Sequence, residues 1–390
     1  MGFLGGKIKG DRVIWAVVFL LSILSFLAVY SSTGTLAYKY QGGNTNYYML
    51  KHAFILLFGL FFMYLAHRVK YTYYSRIFQI ALYIAIPLLL LTLLFGLNLN
   101  DAKRVLPLPF GLTFQTSDLA KITLIVYLAR MLSKKQEDIK DFRSAFVPLM
   151  LPVIIVTGLI FFANFSTAAM LFVTSLVLMF IGRVKMSYIA GLVGIGLVAM
   201  VIAIAILLTL PEGQQGRLGT WKNRISAYTE GGGGDHYQLD QAKIAIATGG
   251  LVGKMPGNST QRNFLPHPYS DFIFAIIVEE YGLVGGVFVV LMYLILFFRA
   301  VKIVTKAPGT FGAFLTIGVG FSLVFQAMIN MGVAVGLLPV TGQPLPLLSM
   351  GGTSIWFTSL AIGIILSVSK DIEEESEEKE IEPIKSSAHA

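Results

Sequence analysis

Three runs of the sequence, residues 13–31, 77–97 and 187–211, contain no Asp, Glu, Lys, Arg or His. A helix rises about 1.5 Å per residue, so each run is long enough to cross roughly 30 Å of hydrocarbon. Only 13% of the 390 residues are charged, where a soluble domain carries about 25%. With 55% of residues hydrophobic, the composition excludes a soluble globular enzyme and a disordered chain alike. The chain reads as an all-α polytopic membrane protein.

Two uncharged stretches are too long for one span. Residues 146–182 fit two helices with a break at Asn164-Phe165-Ser166. Residues 307–369 are interrupted between Gly336 and Pro346 by a segment too rich in Pro and Gly to continue a helix. Weaker segments near 50–66, 118–132 and 272–298 bring the expectation to ten transmembrane helices, with a large outside loop, residues 211–270, between the seventh and eighth. Lys7, Lys9 and Arg12 precede the first run as in a signal peptide. Its apolar core exceeds the roughly 7–15 residues of such a peptide, so it reads as a retained first helix. The chain has no cysteine, hence no disulfide or thiolate site to consider.

Lys and Arg orient such a bundle. With the N-terminus inside, the short inside segments include Arg68, Lys70, Arg76, Arg130, Lys134, Arg183, Lys185, Arg299 and Lys302. The short outside loops hold only Lys39, Lys51, Lys103 and Arg104. Both termini are therefore expected in the cytoplasm. The net charge of +9 needs no nucleic-acid partner, because topology already explains the basic inside loops. Residues 1–370 form the membrane domain, and residues 371–390, with Glu373-Glu374-Glu375-Ser376-Glu377-Glu378, read as an acidic cytoplasmic tail, solvated and disordered.

Ionisable groups within or beside spans are costly, so each needs a reason. Asp118 and Lys121 are three apart at the start of the fourth helix, where Thr116 or Ser117 can cap. A site and a neutralised cap fit that spacing equally. The outside loop offers Lys222, Arg224, Gln238 and a glycine-rich stretch from Gly249 to Gly257 that contains Lys254. Glycines let backbone amides approach an anion, and a turn-rich surface loop is the plainer alternative. Asp271 stands just before the eighth helix, at the membrane border, placed to cap that helix, to act as a general base, or both. Glu279 and Glu280 lie about 12–14 Å further along the axis, as interhelix hydrogen-bonding groups. No cluster of His, Asp or Glu has metal-ligand spacing.

These groups together resemble the SEDS family of bacterial peptidoglycan polymerases, which includes RodA and FtsW, over about residues 10–369. The most specific blocks are Leu106 to Lys121, Leu265 to Glu280, and Gly336 to Pro346 continuing to Ser349-Met350-Gly351-Gly352-Thr353-Ser354. The approach to the second helix, Asn46 to His52, looks more like the FtsW division branch. The resemblance implies polymerisation of lipid II into glycan strands at the outer face of the bacterial inner membrane. It also implies a class B penicillin-binding protein and other division or elongation proteins as partners. Asp271 matches the family's essential aspartate, and Asp118 with Lys121 matches an acid–lysine pair. Departures are Thr116 and Asp118 where Pro and Glu are usual, Asn164 for an Asp, Val105 for a Trp, and Met255 for a Gly.

The mechanism so implied has Asp271 deprotonate the acceptor hydroxyl while undecaprenyl diphosphate leaves, with inversion. Lys103, Arg104, Lys121, Lys222 and Arg224 are candidates to stabilise the diphosphate, Arg104 and Lys121 first. Gln238 and Lys254 complete the expected substrate-binding set. A divalent cation, Mg or Mn, would suit a diphosphate, though no ligand cage is visible. Competing readings are a lipid II flippase or transporter and a divisome scaffold. Asp271 at the border rather than the midplane favours the enzyme.

Overall fold

The structure, a computed structural model, describes residues 9–99, 102–107, 113–209, 219 and 233–387. The helices are α1 (Arg12–Ser32), α2 (Gly34–Gln41), α3 (Thr45–Arg68), α4 (Tyr71–Phe95), α5 (Thr116–Lys134), α6 (Val147–Ala163), α7 (Phe165–Ile181), α8 (Met186–Thr209), α9 (Gly233–Gly249), α10 (Ile273–Val304), α11 (Thr310–Ala334) and α12 (Gly352–Ser387). Among the described residues, eight helices are long and apolar enough to cross a membrane. The apolar α7, at 17 residues, is shorter, and α5, at 19 residues, carries Asp118 and Lys121. These two are the additions that the expected ten would require.

The expected breaks have local causes. Asn164 ends α6 in an extended conformation and caps α7, its Oδ1 accepting from the Thr167 N–H at 3.3 Å. Asp11 caps α1, accepting from the N–H groups of Val13 and Ile14 at 2.9 and 3.1 Å. The Pro-rich segment separates α11 from α12. Close helix crossings use glycine, as in membrane bundles generally. A Cβ on Gly363 of α12 would lie 2.5 Å from the Met63 carbonyl of α3.

One addition to the all-α expectation is a small antiparallel sheet between α4 and α5, with strands β1 (Leu97–Leu99), β2 (Ala102–Pro107) and β3 (Thr113–Phe114) in that order. Lys103 pairs with Asn98, and Leu106 with Phe114. The sheet carries Lys103 and Arg104.

Residues 371–387, within the stretch expected to form an acidic tail, are helical and continue α12. The physical reason is partnership at its start. The Glu373 carboxylate accepts from the Gly10 N–H at 2.6 Å, and Lys9 Nζ lies 3.5 Å from Glu374 and 2.9 Å from Glu377. Beside them, Arg299 of α10 donates to Asp11.

The helix α10 is interrupted at Gly282, whose φ of 69° and ψ of −170° are non-helical. Residues 250–255 cross the chain at this break. The carbonyls of Glu279 and Glu280, left without their helical partners, accept from the N–H groups of Lys254 and Met255 at 2.9 and 3.0 Å. In return, Leu283 and Val284 donate to the carbonyls of Gly250 and Leu251 at 2.9 and 3.3 Å. The crossing is possible because glycine lies on both sides. A Cβ on Gly253 would stand 2.2 Å from the Glu280 oxygen, and one on Gly282 would stand 2.3 Å from the Leu251 oxygen.

Candidate active site

Asp271 is half-buried one residue before Phe272, the N-cap position of α10. The N-cap residue itself carries no side-chain hydrogen bond. Three successive carbonyls hold Asp271 in place. Tyr269 O accepts from the Met350 N–H at 2.8 Å, Ser270 O from Ser349 Oγ at 2.6 Å, and Asp271 O from Asn330 Nδ2 at 2.8 Å. The carboxylate accepts from Ser270 Oγ at 2.9 Å. It faces Gly342, at φ +64°, where an added Cβ would lie 3.5 Å from Oδ2. Burial, and then the Asp271 charge, raise the pKa of the neighbouring Tyr269 phenol above its ordinary value, so that it stays protonated.

Asp118 and Lys121 form the expected pair at 2.8 Å, both largely buried on α5. Neither Thr116 nor Ser117 caps the helix: the N-cap position is Gln115, without a side-chain cap. Gln115 Nε2 reaches Asp118 Oδ1 at 3.3 Å, while Asp118 Oδ2 is buried without a partner among the described residues. Lys121 also donates to Gln326 Oε1 of α11 at 3.2 Å. The pair lines a small cavity with Gln326, Ser354 and Thr358.

Gln326 links the pair towards Asp271. Its Nε2 donates to the Pro344 carbonyl at 2.9 Å, and Asn330 Nδ2 donates to the Gln343 carbonyl at 2.7 Å. Gln343 in turn donates to Thr167 of α7 at 2.7 Å. The Pro-rich segment is thus the element that joins the acid–lysine pair to the aspartate.

Arg104 and Lys103 line a second, small pocket with Gln115, Thr116, Ser117 and Asn164. Arg104 Nε donates to Ala163 O at the end of α6, at 3.0 Å, and Lys103 Nζ to Leu94 O near the end of α4. Helix C-termini attract cations, so these contacts also hold the two side chains at the pocket. Two cations, two amides and two hydroxyls around one cavity suit an anionic oxygen-rich group. Gln115 belongs to both pockets' surroundings, lining this one and bonding Asp118.

Lys254 stands elsewhere, bonded to Glu279 at 2.6 Å. The same carboxylate accepts from Ser259, Thr260 and Gln261. Of the glycines around Lys254, Gly249 and Gly253 come close to the backbone of Val278 and Glu280 at the chain crossing, whereas Gly250 and Gly257 face open space. Glu280 accepts from Ser31 of α1, an interhelix hydrogen bond as expected. Gln238 is half-buried on α9. Lys222 and Arg224 lie outside the described residues. Among the described residues no group of three or more His, Cys, Asp or Glu is placed to hold a metal ion.

Gln326 and Asn330 were not among the expected site residues. The signal was present: two amides four apart, on one helix face, in a 63-residue stretch without a charge, 307–369.

A family profile described as a cell cycle protein, covering FtsW, RodA and SpoVE, matches residues 11–374. The chain is 30% identical to the stage V sporulation protein E of Bacillus subtilis (strain 168), over 93% of this chain and 98% of that one. It is 31% identical to a probable peptidoglycan glycosyltransferase FtsW of Geobacter sp. (strain M18), again over 93% and 98%. Among solved structures, it resembles a chain in a study of a peptidoglycan synthase complex that coordinates polymerization and crosslinking. That match has a TM-score of 0.74 and 23% identity, over 94% of this chain and 99% of that one. The Thermus thermophilus rod shape determining protein RodA follows the same fold, with a TM-score of 0.65 and 23% identity, over 95% and 99%.

Proposed function

Since the chain belongs to the FtsW, RodA and SpoVE family of cell cycle proteins, we propose that it is a peptidoglycan glycosyltransferase that polymerises lipid II into glycan strands. The observation that carries this reading is the match over 93% of the chain to a relative named for that activity. The site supplies what the chemistry needs. Asp271, clamped through its backbone, acts as general base on the 4-hydroxyl of the acceptor N-acetylglucosamine. The oxygen attacks the anomeric carbon of the donor strand, the bond to undecaprenyl diphosphate breaks, and a single displacement inverts the α-linked donor to a β-1,4 link.

Charge grows on the departing diphosphate, and preorganised cations stabilise it. Arg104 and Lys103 line a pocket of suitable character, and Lys121 stands beside it through Gln115 and Asp118. Lys254 serves the reaction indirectly, by fixing the outer part of α10 through Glu279. A divalent cation, Mg or Mn, would add to this stabilisation of the diphosphate. The active face lies outside the inner membrane and both termini lie inside, with ten spans. The relatives named FtsW support the FtsW side of the family, with septal or lateral wall synthesis as the setting. The peptidoglycan synthase complex among the similar structures supports a crosslinking partner, a class B penicillin-binding protein.

The test is purified protein with lipid II, with and without that partner, for wild type and Asp271→Ala. Strands from wild type and none from the variant, with both chains folded, are expected. Wild-type activity in the variant would remove the general-base role. Movement of lipid II across liposomes by both, with no strands from either, would replace the polymerase with a transporter.

A further inference from the structure

Asn330 sits on α11, 1% exposed, where its amide nitrogen donates to two carbonyls at once: Asp271 O at 2.8 Å and Gln343 O at 2.7 Å. The orientation of this amide is forced, because a flip would set Oδ1 against two carbonyl oxygens. The two carbonyls belong to segments 72 positions apart in sequence, and no closer covalent path joins them. Gly342, next to Gln343, is the residue the Asp271 carboxylate faces. One turn earlier on the same helix face, Gln326 bonds Pro344 O and receives Lys121. The α11 helix thus holds two adjacent carbonyls of the Pro-rich segment with two amides, and reaches the aspartate with one of them.

We propose that Asn330 is a positioning residue for the glycosyl transfer, setting Asp271 in register with the Gly342–Pro344 turn through the paired hydrogen bonds of its Nδ2. The proposal rests on the reading of Asp271 as the base. Asn330 touches no reacting atom. It acts by fixing where the carboxylate stands, and a displacement of about 1 Å at a reacting group costs on the order of 100-fold in rate. An amide serving only to hold two helices together would lower the amount of folded protein and leave the turnover of what remains unchanged.

The experiment compares full-length wild type, Asn330→Ala and Asn330→Asp in detergent, with lipid II and the transpeptidase partner. Asp has nearly the volume of Asn, but when ionised it has no proton to donate. The expected result is a fall in kcat of about 10- to 100-fold in both variants, with KM within about threefold of wild type. Hydrogen exchange should accelerate in the peptide around 266–273 and at Met350, with the helical spans unchanged. Wild-type kcat in either folded variant overturns the proposal, and so does a loss expressed in KM alone. Should the alanine chain fail to fold, the aspartate variant gives the same comparison. Should wild type make no strands, the polymerase reading falls, and hydrogen exchange decides the positioning: unchanged protection of 266–273 would end it.

Discussion

At the scale of single residues, the site divides into groups held by backbone and groups held by charge. Arg104 lies between the Ala163 carbonyl and the pocket, so Arg104→Ala removes the proposed diphosphate contact without opening the core. Loss of one such electrostatic contact is worth about 2.7–4 kcal/mol at the transition state. The expected fall in kcat/KM with lipid II is therefore about 100- to 1,000-fold, read by strand synthesis at fixed partner concentration. Asp118→Asn keeps the shape and removes the charge that holds Lys121. Breaking a buried pair destabilises by roughly 3–5 kcal/mol, so a lower melting temperature should accompany the loss of activity. Unchanged melting and turnover would reduce the pair to a helix-start feature. The contact between Asp118 and Lys121 was legible from their spacing of three along a helix. The true partner of Lys254 was not, because Glu279 lies 25 positions away and only the fold brings them together.

At the scale of elements, the break at Gly282 bears on a position where the family resemblance leads one to expect glycine. Met255 stands where glycine is common, and its φ is +75°. That region costs a side-chain-bearing residue about 1–2 kcal/mol. Met255 is exposed, so little packing offsets the strain. Met255→Gly should therefore raise stability by up to about 1 kcal/mol, after the added freedom of the unfolded chain is subtracted, with no loss of activity. A differential melting curve reads the effect, and a fall in melting temperature would contradict the strain. Gly253→Ala should do the opposite, since its Cβ would enter the Glu280 carbonyl. A loss above about 3 kcal/mol, seen as little or no folded protein, is expected there. The helices and their breaks were legible from charge-free runs, Asn164 and the Pro-rich segment. The crossing was not: its glycines read as a flexible loop, and two main-chain segments that pair across a break leave no periodic trace.

At the scale of the whole molecule, one end of the bundle is closed by the chain's own extremities. Arg299 and Asp11 join α10 to the start of α1, and Glu373, Glu374 and Glu377 meet Gly10 and Lys9. Asp11 is buried, so Arg299→Ala should cost about 1.5–3 kcal/mol, measured by melting in detergent. The Lys9 cluster is exposed, and its replacement should change melting little and only at low salt. Hydrogen bonding to Glu377 raises the Lys9 pKa, so this cluster is fully formed below the ordinary lysine value and is lost as pH rises through the raised one. Exchange at Gly10 across that range is the check. The expected disordered tail followed from composition alone. Its acids have cationic and N–H partners only because the N-terminal segment lies beside the last span, a contact between residues more than 360 positions apart.

The chain crossing at Gly282 also bears on how such a protein is built. A membrane helix that loses two internal hydrogen bonds would ordinarily carry that defect into the bilayer when it is inserted. Here the segment that repairs it, residues 250–255, comes before the helix in the chain and leaves the ribosome first. The donors and acceptors are therefore already synthesised when Gly282 emerges, and the broken helix can be completed as it is delivered, without waiting for the two spans that follow.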